Sequence, residues 1–161
     1  MVLIIDKEGR LALQERREKD SRGKLDVSVS GHMEIGETDE QCAIRETAEE
    51  AGVVTSPLKL TRLFKPFQLV KEGAPGIKED RHMTRFKFKY KTDKSNQERT
   101  SVFMLRIDHM PEPKFGAMSM RWVPFADAIR EAEKHPERFA SGFRQLLHLQ
   151  IIEEIRKEID S

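Results

Sequence analysis

The sequence has little of what marks a disulfide-rich, metal-thiolate or membrane protein. Cys42 is the only cysteine among 161 residues, so no disulfide can form within the chain and a cysteine-based zinc site is not expected. No apolar run approaches the length of a membrane span. The apolar stretch Val2–Ile5 is too short for a signal peptide, and Asp6 follows it at once. These absences favour a cytoplasmic protein with no membrane partner.

The chain also lacks an excess of charge of either sign, since 29 basic residues against 28 acidic ones leave a net charge of +1. This balance gives no indication of a general nucleic-acid partner. The charges are nevertheless segregated. Residues 31–53 carry seven acidic side chains and one basic one, whereas residues 65–99 carry ten basic and five acidic ones. This pattern suits a polyanionic substrate bound through a metal ion; an ordinary solvated basic loop is the alternative.

Apolar alternation and turn residues predict strands on both sides of one short helix. Residues 2–5 and 11–14 form two predicted strands joined by a tight turn. Residues 25–30 alternate apolar and polar side chains, which predicts a half-buried strand. Further strands are expected at residues 58–67, 86–91, 100–107 and 120–123, with a loop at 71–80 and a turn at 92–97.

Two helices are predicted in the last third of the chain. Pro124 stands at the start of one, over residues 125–134, and Pro136 precedes a second from 137 to about 159. The second helix has an apolar stripe that could pack on its own sheet or on a second subunit, so a homodimer is possible. This order of elements predicts a single α/β or α+β domain, 1–161, with helices on both sides of a mixed sheet and a C-terminal helical extension from about residue 136.

The predicted short helix lies within the acidic stretch. Thr38, followed three residues later by Gln41, fits a capping box, and Gly52 stands where a helix-ending glycine is expected. The helix between them carries three carboxylates at i, i+3 and i+4, which share one face: Glu46, Glu49 and Glu50. Clustered carboxylates repel each other unless a cation is present, and hard oxygen ligands suit Mg²⁺ or Mn²⁺. The alternative is a solvated acidic face.

Residues 31–53 resemble the signature box of the Nudix hydrolases, G-x5-E-x7-R-E-U-x-E-E-x-G-U, in which U is a bulky apolar residue. Thr47 departs from the pattern, because it occupies the first U position. Every fixed position of the box is present: Gly31, Glu37, Arg45, Glu46, Glu49, Glu50 and Gly52. We refer to residues 31–53 as the box.

The resemblance implies the Nudix α/β/α sandwich with a mixed sheet, and cleavage of a pyrophosphate linked to another moiety. It implies that Mg²⁺, or Mn²⁺, is bound by the carbonyl of Gly31 and by the three glutamates of the shared face. Arg45 and Glu37 would form an ion pair that holds the loop of the box on its helix. The general base stays open between three candidates: Glu50, Glu46, and Glu98 just before the predicted strand 100–107.

Residues 14–32 resemble a branch of the family that is similar to isopentenyl-diphosphate isomerase. That isomerase uses a cysteine just ahead of a degraded box, whereas here residues 29–32 contain no cysteine and the box is intact. The residues therefore favour hydrolysis over isomerisation. Arg16 and Arg17 are candidates for phosphate contacts, with a charged strand end in solvent as the alternative. His32 is a candidate substrate contact, with a solvent-facing loop residue as the alternative.

The expected substrate is a small-molecule diphosphate, with a nucleoside diphosphate or a derivative of one as the leading hypothesis. An oxidised or non-standard nucleotide is the alternative at the level of the box. Two hypotheses come from other classes: an isomerase acting on isopentenyl diphosphate, and a non-catalytic Nudix module that binds a ligand.

Overall fold

The computed structural model describes residues 1–56, 59–63, 86–90, 96–109, 119–148 and 152–160, of which 61–62, 86–90 and 96–100 are described by their backbone. The strands are β1 (Val2–Ile5), β2 (Arg10–Glu15), β3 (Leu25–Asp26), β4 (Leu60–Arg62), β5 (Phe86–Tyr90), β6 (Asn96–Thr100), β7 (Phe103–Arg106) and β8 (Met120–Pro124). The α-helices are α1 (Asp39–Ala51), α2 (Phe125–Lys134), α3 (Ser141–His148) and α4 (Ile152–Asp160).

Six strands form one mixed sheet. Its order is β3-β2-β1-β7-β4, and β8 pairs with β2. Only β1 and β7 run parallel within it, in the register Val2 opposite Phe103, and the other pairs are antiparallel. Strands β5 and β6 form a separate antiparallel pair. Among the described residues, no helix is both long enough and apolar enough to cross a membrane.

Both faces of the six-stranded sheet are covered, which explains why all four residues of β1 are buried. On one face, Leu3 and Ile5 pack with the apolar side chains of α2, α3 and α4. On the other face, Val2 and Ile4 pack with Ala43 and Ala51 of α1. A sheet between helices confirms the predicted α/β class and the helix–sheet–helix sandwich.

The half-buried strand predicted over residues 25–30 is wrong in two respects. Strand β3 is only two residues long, and the polar positions Asp26 and Ser28 are buried together with the apolar ones. The hydroxyl of Ser28 accepts a hydrogen bond from Ile4 N at 2.8 Å and donates one to Ala12 O at 2.5 Å. Residues 26–30 therefore lie between β1 and β2, and Ser28 satisfies backbone groups of both strands.

The single C-terminal helix predicted from 137 to about 159 is also wrong. Pro136–Arg138 form one 3-10 turn, and Phe139 is extended, with φ −114° and ψ 141°. Phe139 forms a parallel bridge with Leu25, and Ala140 N donates to Leu25 O at 2.8 Å. Helix α3 then begins at Ser141 and packs against the sheet of its own chain. The predicted homodimer stays a prediction.

The other predictions for the second half of the chain have mixed outcomes. The predicted turn at 92–97 overlaps β6, and Glu98 lies within β6, opposite Phe88, instead of before the next strand. The strand predicted at 100–107 corresponds to β7, which is shorter and covered on both faces, and the strand at 120–123 is confirmed as β8. Helix α2 starts as predicted, with Pro124 as its N-cap. The predicted loop at 71–80 lies outside the described residues.

Replacing Ser28 with alanine should destabilise the fold, because Ile4 N and Ala12 O would lose their common partner inside the sheet. We expect the free energy of unfolding to fall by about 1–3 kcal/mol, the cost of leaving buried polar groups unsatisfied. Urea denaturation measures this change. Ser21→Ala, in a surface turn, is the matched control and should change stability by less than about 0.5 kcal/mol. Equal stability of the two variants would contradict the assigned role of Ser28.

Candidate functional site

Helix α1 has the bounds that its capping residues predict. Thr38 Oγ1 accepts a hydrogen bond from Gln41 N at 3.2 Å, and Gln41 Oε1 accepts one from Thr38 N at 2.8 Å. At the other end, Gly52 adopts the left-handed conformation with φ 69°, and its N–H donates to Thr47 O. The capping box and the terminal glycine therefore fix both the start and the end of the helix.

Thr47, the departure from the box pattern, is accommodated inside the fold. Its side chain is fully buried, and its hydroxyl donates to Ala43 O, one turn earlier, at 2.6 Å. A buried threonine therefore leaves no unsatisfied donor here. Thr47, Ala43 and Ala51 form the buried face of α1, which leaves the glutamates on the remaining faces.

Arg45 joins the helix to the loop that precedes it. Its Nε lies 2.9 Å from Glu37 Oε1 and its Nη2 lies 3.0 Å from Glu37 Oε2, so the ion pair is bidentate. Nη2 also donates to His32 O at 3.0 Å. The guanidinium lowers the pKa of Glu37 to about 2 and the two acidic neighbours, Glu37 and Glu46, raise the pKa of Arg45. A planar fork of donors suits this arrangement, because it binds a carboxylate and a carbonyl together.

Glu46 and Glu49 are both held by Arg45. Its Nη1 lies 2.8 Å from Glu46 Oε1 and 3.2 Å from Glu49 Oε2, and the Glu49 side chain is 60% exposed. The carboxyl group of Glu46 also lies directly against Gly31. A Cβ atom at residue 31 would stand 1.9 Å from Glu46 Cδ, so only glycine fits at this position while Glu46 keeps its place.

Glu50 turns instead toward the sheet. Its Oε2 accepts hydrogen bonds from Ser30 N at 3.0 Å and from Gln14 Nε2 at 3.2 Å. Burial raises the pKa of Glu50, and these two hydrogen bonds offset only part of that effect. Of the three glutamates of the box face, Glu50 is the one that contacts the sheet.

The donor set fits a hard divalent cation in its chemistry, since it consists of the three glutamate carboxylates and the backbone carbonyl of Gly31. Glu46 already lies against Gly31. The carboxylates do not lie close enough to share one ion, however. Within the described part of the chain, no group of three acidic, histidine or cysteine side chains is placed to bind a metal ion. Binding a cation through all three would therefore require these carboxylates to move closer together.

A cavity of about 470 Å³ opens beside Gly31. Phe103, Met33 and Ala43 contribute apolar surface, and the first turns of α3 also line the cavity. Polar groups of the lining come from four segments of the chain: Arg16, Asp26, Ser30, His32, Asp39, Ser101, Ser141 and Gln145. A space of this size with mixed lining is typical of small-molecule sites.

The three residues predicted to contact substrate are placed differently. Arg16 and His32 line the cavity, whereas Arg17 is exposed and is not among the described lining residues. The guanidinium of Arg16 lies with its Nη1 3.7 Å from Asp26 Oδ2 and its Nε 3.0 Å from Glu18 Oε2. Its Nε is nevertheless buried without a hydrogen bond of good geometry. Arg16 therefore lines the cavity with a guanidinium that is already paired with Glu18 and Asp26.

Sequence reasoning assigned no role to several residues that the fold brings to the site. No motif singles out Gln14, and nothing in the C-terminal helices carries a motif that would place Gln145 at a cavity. Asp26 looked like the solvent side of a strand, but its Oδ1 accepts from Phe143 N at 2.7 Å at the start of α3. Glu98, the third candidate base, is described by its backbone only.

Glu37→Gln should weaken the attachment of the loop in a pH-dependent way. The carboxyl titrates near 2 in the folded protein and has an ordinary value of 4.5, so its ion pair contributes stability above about pH 4.5 and loses it as the pH falls toward 2. Wild type should be more stable than the variant at pH 6, and the difference should shrink at pH 3. Urea unfolding at both pH values measures it, with Glu133→Gln on α2 as control. A difference that is independent of pH would contradict the assigned pair.

The chain matches the family model of the NUDIX domain over residues 1–146. A comparison with curated proteins found no significant match. Among solved structures, DR0079 from Deinococcus radiodurans is similar with a TM-score of 0.59 and 23% identity, over 91% of this chain and 76% of that one. The NUDIX domain of Shewanella oneidensis NrtR, complexed with ADP ribose, has a TM-score of 0.59 and 16% identity, over 98% and 84% of the two chains.

The Ap4A hydrolase of C. elegans is also similar, with a TM-score of 0.52 and 16% identity, over 98% of this chain and 94% of that one. At these identities the structural likeness concerns the fold. The family model is the stronger finding, because it covers most of the chain and includes the complete box. The chain therefore belongs to the Nudix hydrolase family.

Proposed function

We propose that this Nudix hydrolase is a Mg²⁺-dependent pyrophosphohydrolase that acts on a nucleoside diphosphate or on a nucleoside diphosphate linked to another group. One observation carries the proposal: the cavity of about 470 Å³ opens at Gly31, the residue against which Glu46 is packed. Glu46, Glu49 and Glu50 are not among the described lining residues, so Gly31 is the point at which a phosphate of a ligand in the cavity would come next to Glu46.

Each residue of the site has a role in this proposal. Glu46, Glu49, Glu50 and the carbonyl of Gly31 would hold Mg²⁺, with Mn²⁺ as a substitute. When bound, such an ion neutralises phosphate charge and lowers the pKa of a water molecule. Arg16 binds phosphate oxygens at the cavity, and Arg45 with Glu37 keeps the loop in place. The proton of the attacking water passes to a carboxylate, for which Glu50, Glu46 and Glu98 are the candidates.

The nucleoside part of the proposal rests on the lining of the cavity. Phe103 and Met33 provide apolar contact for a base, and Gln145 and Ser101 provide groups that can donate and accept hydrogen bonds. Two similar structures also concern nucleotide-derived ligands, since one holds ADP ribose and the other is an Ap4A hydrolase. Arg17 is exposed and lies outside the described lining, so its phosphate contact stays a prediction.

A non-catalytic ligand-binding module is the second candidate. The box retains all three glutamates of the shared face, which favours catalysis over ligand binding alone. The finer resemblance to isomerase-like members adds no support for an isomerase, since no cysteine precedes the box.

A screen for phosphate release separates these candidates. The purified protein is incubated with Mg²⁺ and, in turn, nucleoside di- and triphosphates, nucleotide sugars, ADP-ribose and isopentenyl diphosphate. We expect hydrolysis of a nucleoside diphosphate or a derivative, and none without the metal. Tight binding of one compound without turnover of any would establish the binding module. Conversion of isopentenyl diphosphate to its isomer would contradict both.

Glu50→Gln should lower turnover of the best substrate at least ~10²-fold, because the amide can neither balance the cation's charge nor accept the water's proton. The measurement is kcat at saturating Mg²⁺ and substrate. Glu133→Gln on α2 removes the same charge at an exposed site and should retain normal turnover. Near-normal kcat in Glu50→Gln would exclude Glu50 from the mechanism.

A further inference from the structure

The fully buried side-chain amide of Gln14 contacts Glu50, the glutamate that turns toward the sheet. Gln14 is on β2, on the face that α1 covers, and it has no exposed surface. Its Nε2 donates to Glu50 Oε2 at 3.2 Å, and its Oε1 accepts from Arg16 Nη1 at 3.4 Å. Gln14 thus joins a candidate metal ligand to a candidate phosphate-binding side chain.

The chemistry of the two neighbours fixes the orientation of this amide. An ionised carboxylate can only accept hydrogen bonds, and a guanidinium can only donate them. The amide of Gln14 must therefore present NH₂ to Glu50 and its oxygen to Arg16. A glutamate in its place would set a second negative charge against Glu50, and an apolar residue would leave Glu50 with one donor fewer inside the fold.

The second donor to the same oxygen comes from the backbone just before the box. Ser30 N lies 3.0 Å from Glu50 Oε2, so one carboxylate oxygen receives two hydrogen bonds from the sheet side. In the described residues, no hydrogen bond is made to the other oxygen, Oε1. The two donors therefore fix the rotation of the carboxylate and leave one oxygen for a further partner.

We propose that Gln14 is a positioning residue for the reaction. It holds the carboxylate of Glu50 in one rotation, through Oε2, so that Oε1 is available to a divalent cation or to a proton. Through its carbonyl oxygen it also ties the position of Glu50 to that of Arg16. This inference rests on the proposed function, since it assigns Gln14 an effect on that same site. Groups that orient metal ligands in this way commonly affect metal affinity or activity 10- to 100-fold, roughly.

The test compares Gln14→Met with wild type. Methionine has a similar length and volume, but it cannot form hydrogen bonds with the carboxylate of Glu50 or the guanidinium of Arg16. Ser28→Ala is the matched control, because it breaks buried hydrogen bonds of the same sheet without touching Glu50. Mn²⁺ affinity is measured by electron paramagnetic resonance, unfolding by urea, and kcat and KM with the substrate found in the screen.

We expect Gln14→Met to bind Mn²⁺ about 10-fold more weakly than wild type and to lose kcat by at least that factor. Ser28→Ala should lose stability and keep its Mn²⁺ affinity. Introduced into Glu50→Gln, Gln14→Met should have little further effect on kcat, because its action passes through Glu50. Full additivity of the two changes, or Mn²⁺ affinity equal to wild type, would overturn the inference.

The two proposals fail in distinguishable ways. If wild type neither binds Mn²⁺ nor hydrolyses any compound of the screen, the proposed function itself is wrong, and the role of Gln14 falls with it. If wild type is active and binds Mn²⁺, but Gln14→Met behaves like Ser28→Ala, the hydrolase stands and Gln14 is only a structural residue.

Discussion

The contacts of residues 26–30, a short segment between β1 and β2, connect the sheet to α1 and α3. Asp26 accepts a hydrogen bond from the start of α3, Ser28 satisfies backbone groups of β1 and β2, and Val29 bridges Val2. Ser30 N donates to Glu50, and the next residue, Gly31, lies against Glu46. One short segment thus contacts two strands of the sheet and the two helices next to the candidate site.

Arg45 has a similar role on the outer side of α1. It contacts Glu37 and the backbone of His32 in the loop, and Glu46 and Glu49 on its own helix. Its contacts with Glu37 and His32 use Nε and Nη2, whereas its contacts with Glu46 and Glu49 use Nη1. The loop is therefore held by donors that the two carboxylates of the helix do not use.

The sequence predicted those features that depend on neighbouring residues. The bounds of α1 follow from Thr38, Gln41 and Gly52, all within one short stretch, and β1, β2 and α2 follow from local alternation and turn residues. The resemblance carried by the box identified the family for the same reason, since its residues stand at fixed short spacing. The finer resemblance to isomerase-like members stays a prediction.

The features that the sequence did not predict depend on contacts between distant residues. The break before α3 is stabilised by Leu25, and the start of α3 by Asp26, 117 residues before its partner Phe143. Asp26 and Ser28 look solvent-facing in a pattern of alternation, because nothing local shows that a second strand and a helix cover them. Gln145 reaches the cavity only because of that distant attachment of α3.

The attachment of α3 to Asp26 brings residues from the end of the chain to the cavity. The carboxylates that would perform the chemistry lie on α1, whereas three lining residues of α3 lie about a hundred residues later: Ser141, Gly142 and Gln145. Substitutions in this part of α3 can alter the shape of the cavity while α1 and its caps remain intact. Ligand recognition can therefore change during evolution while the reactive residues are retained.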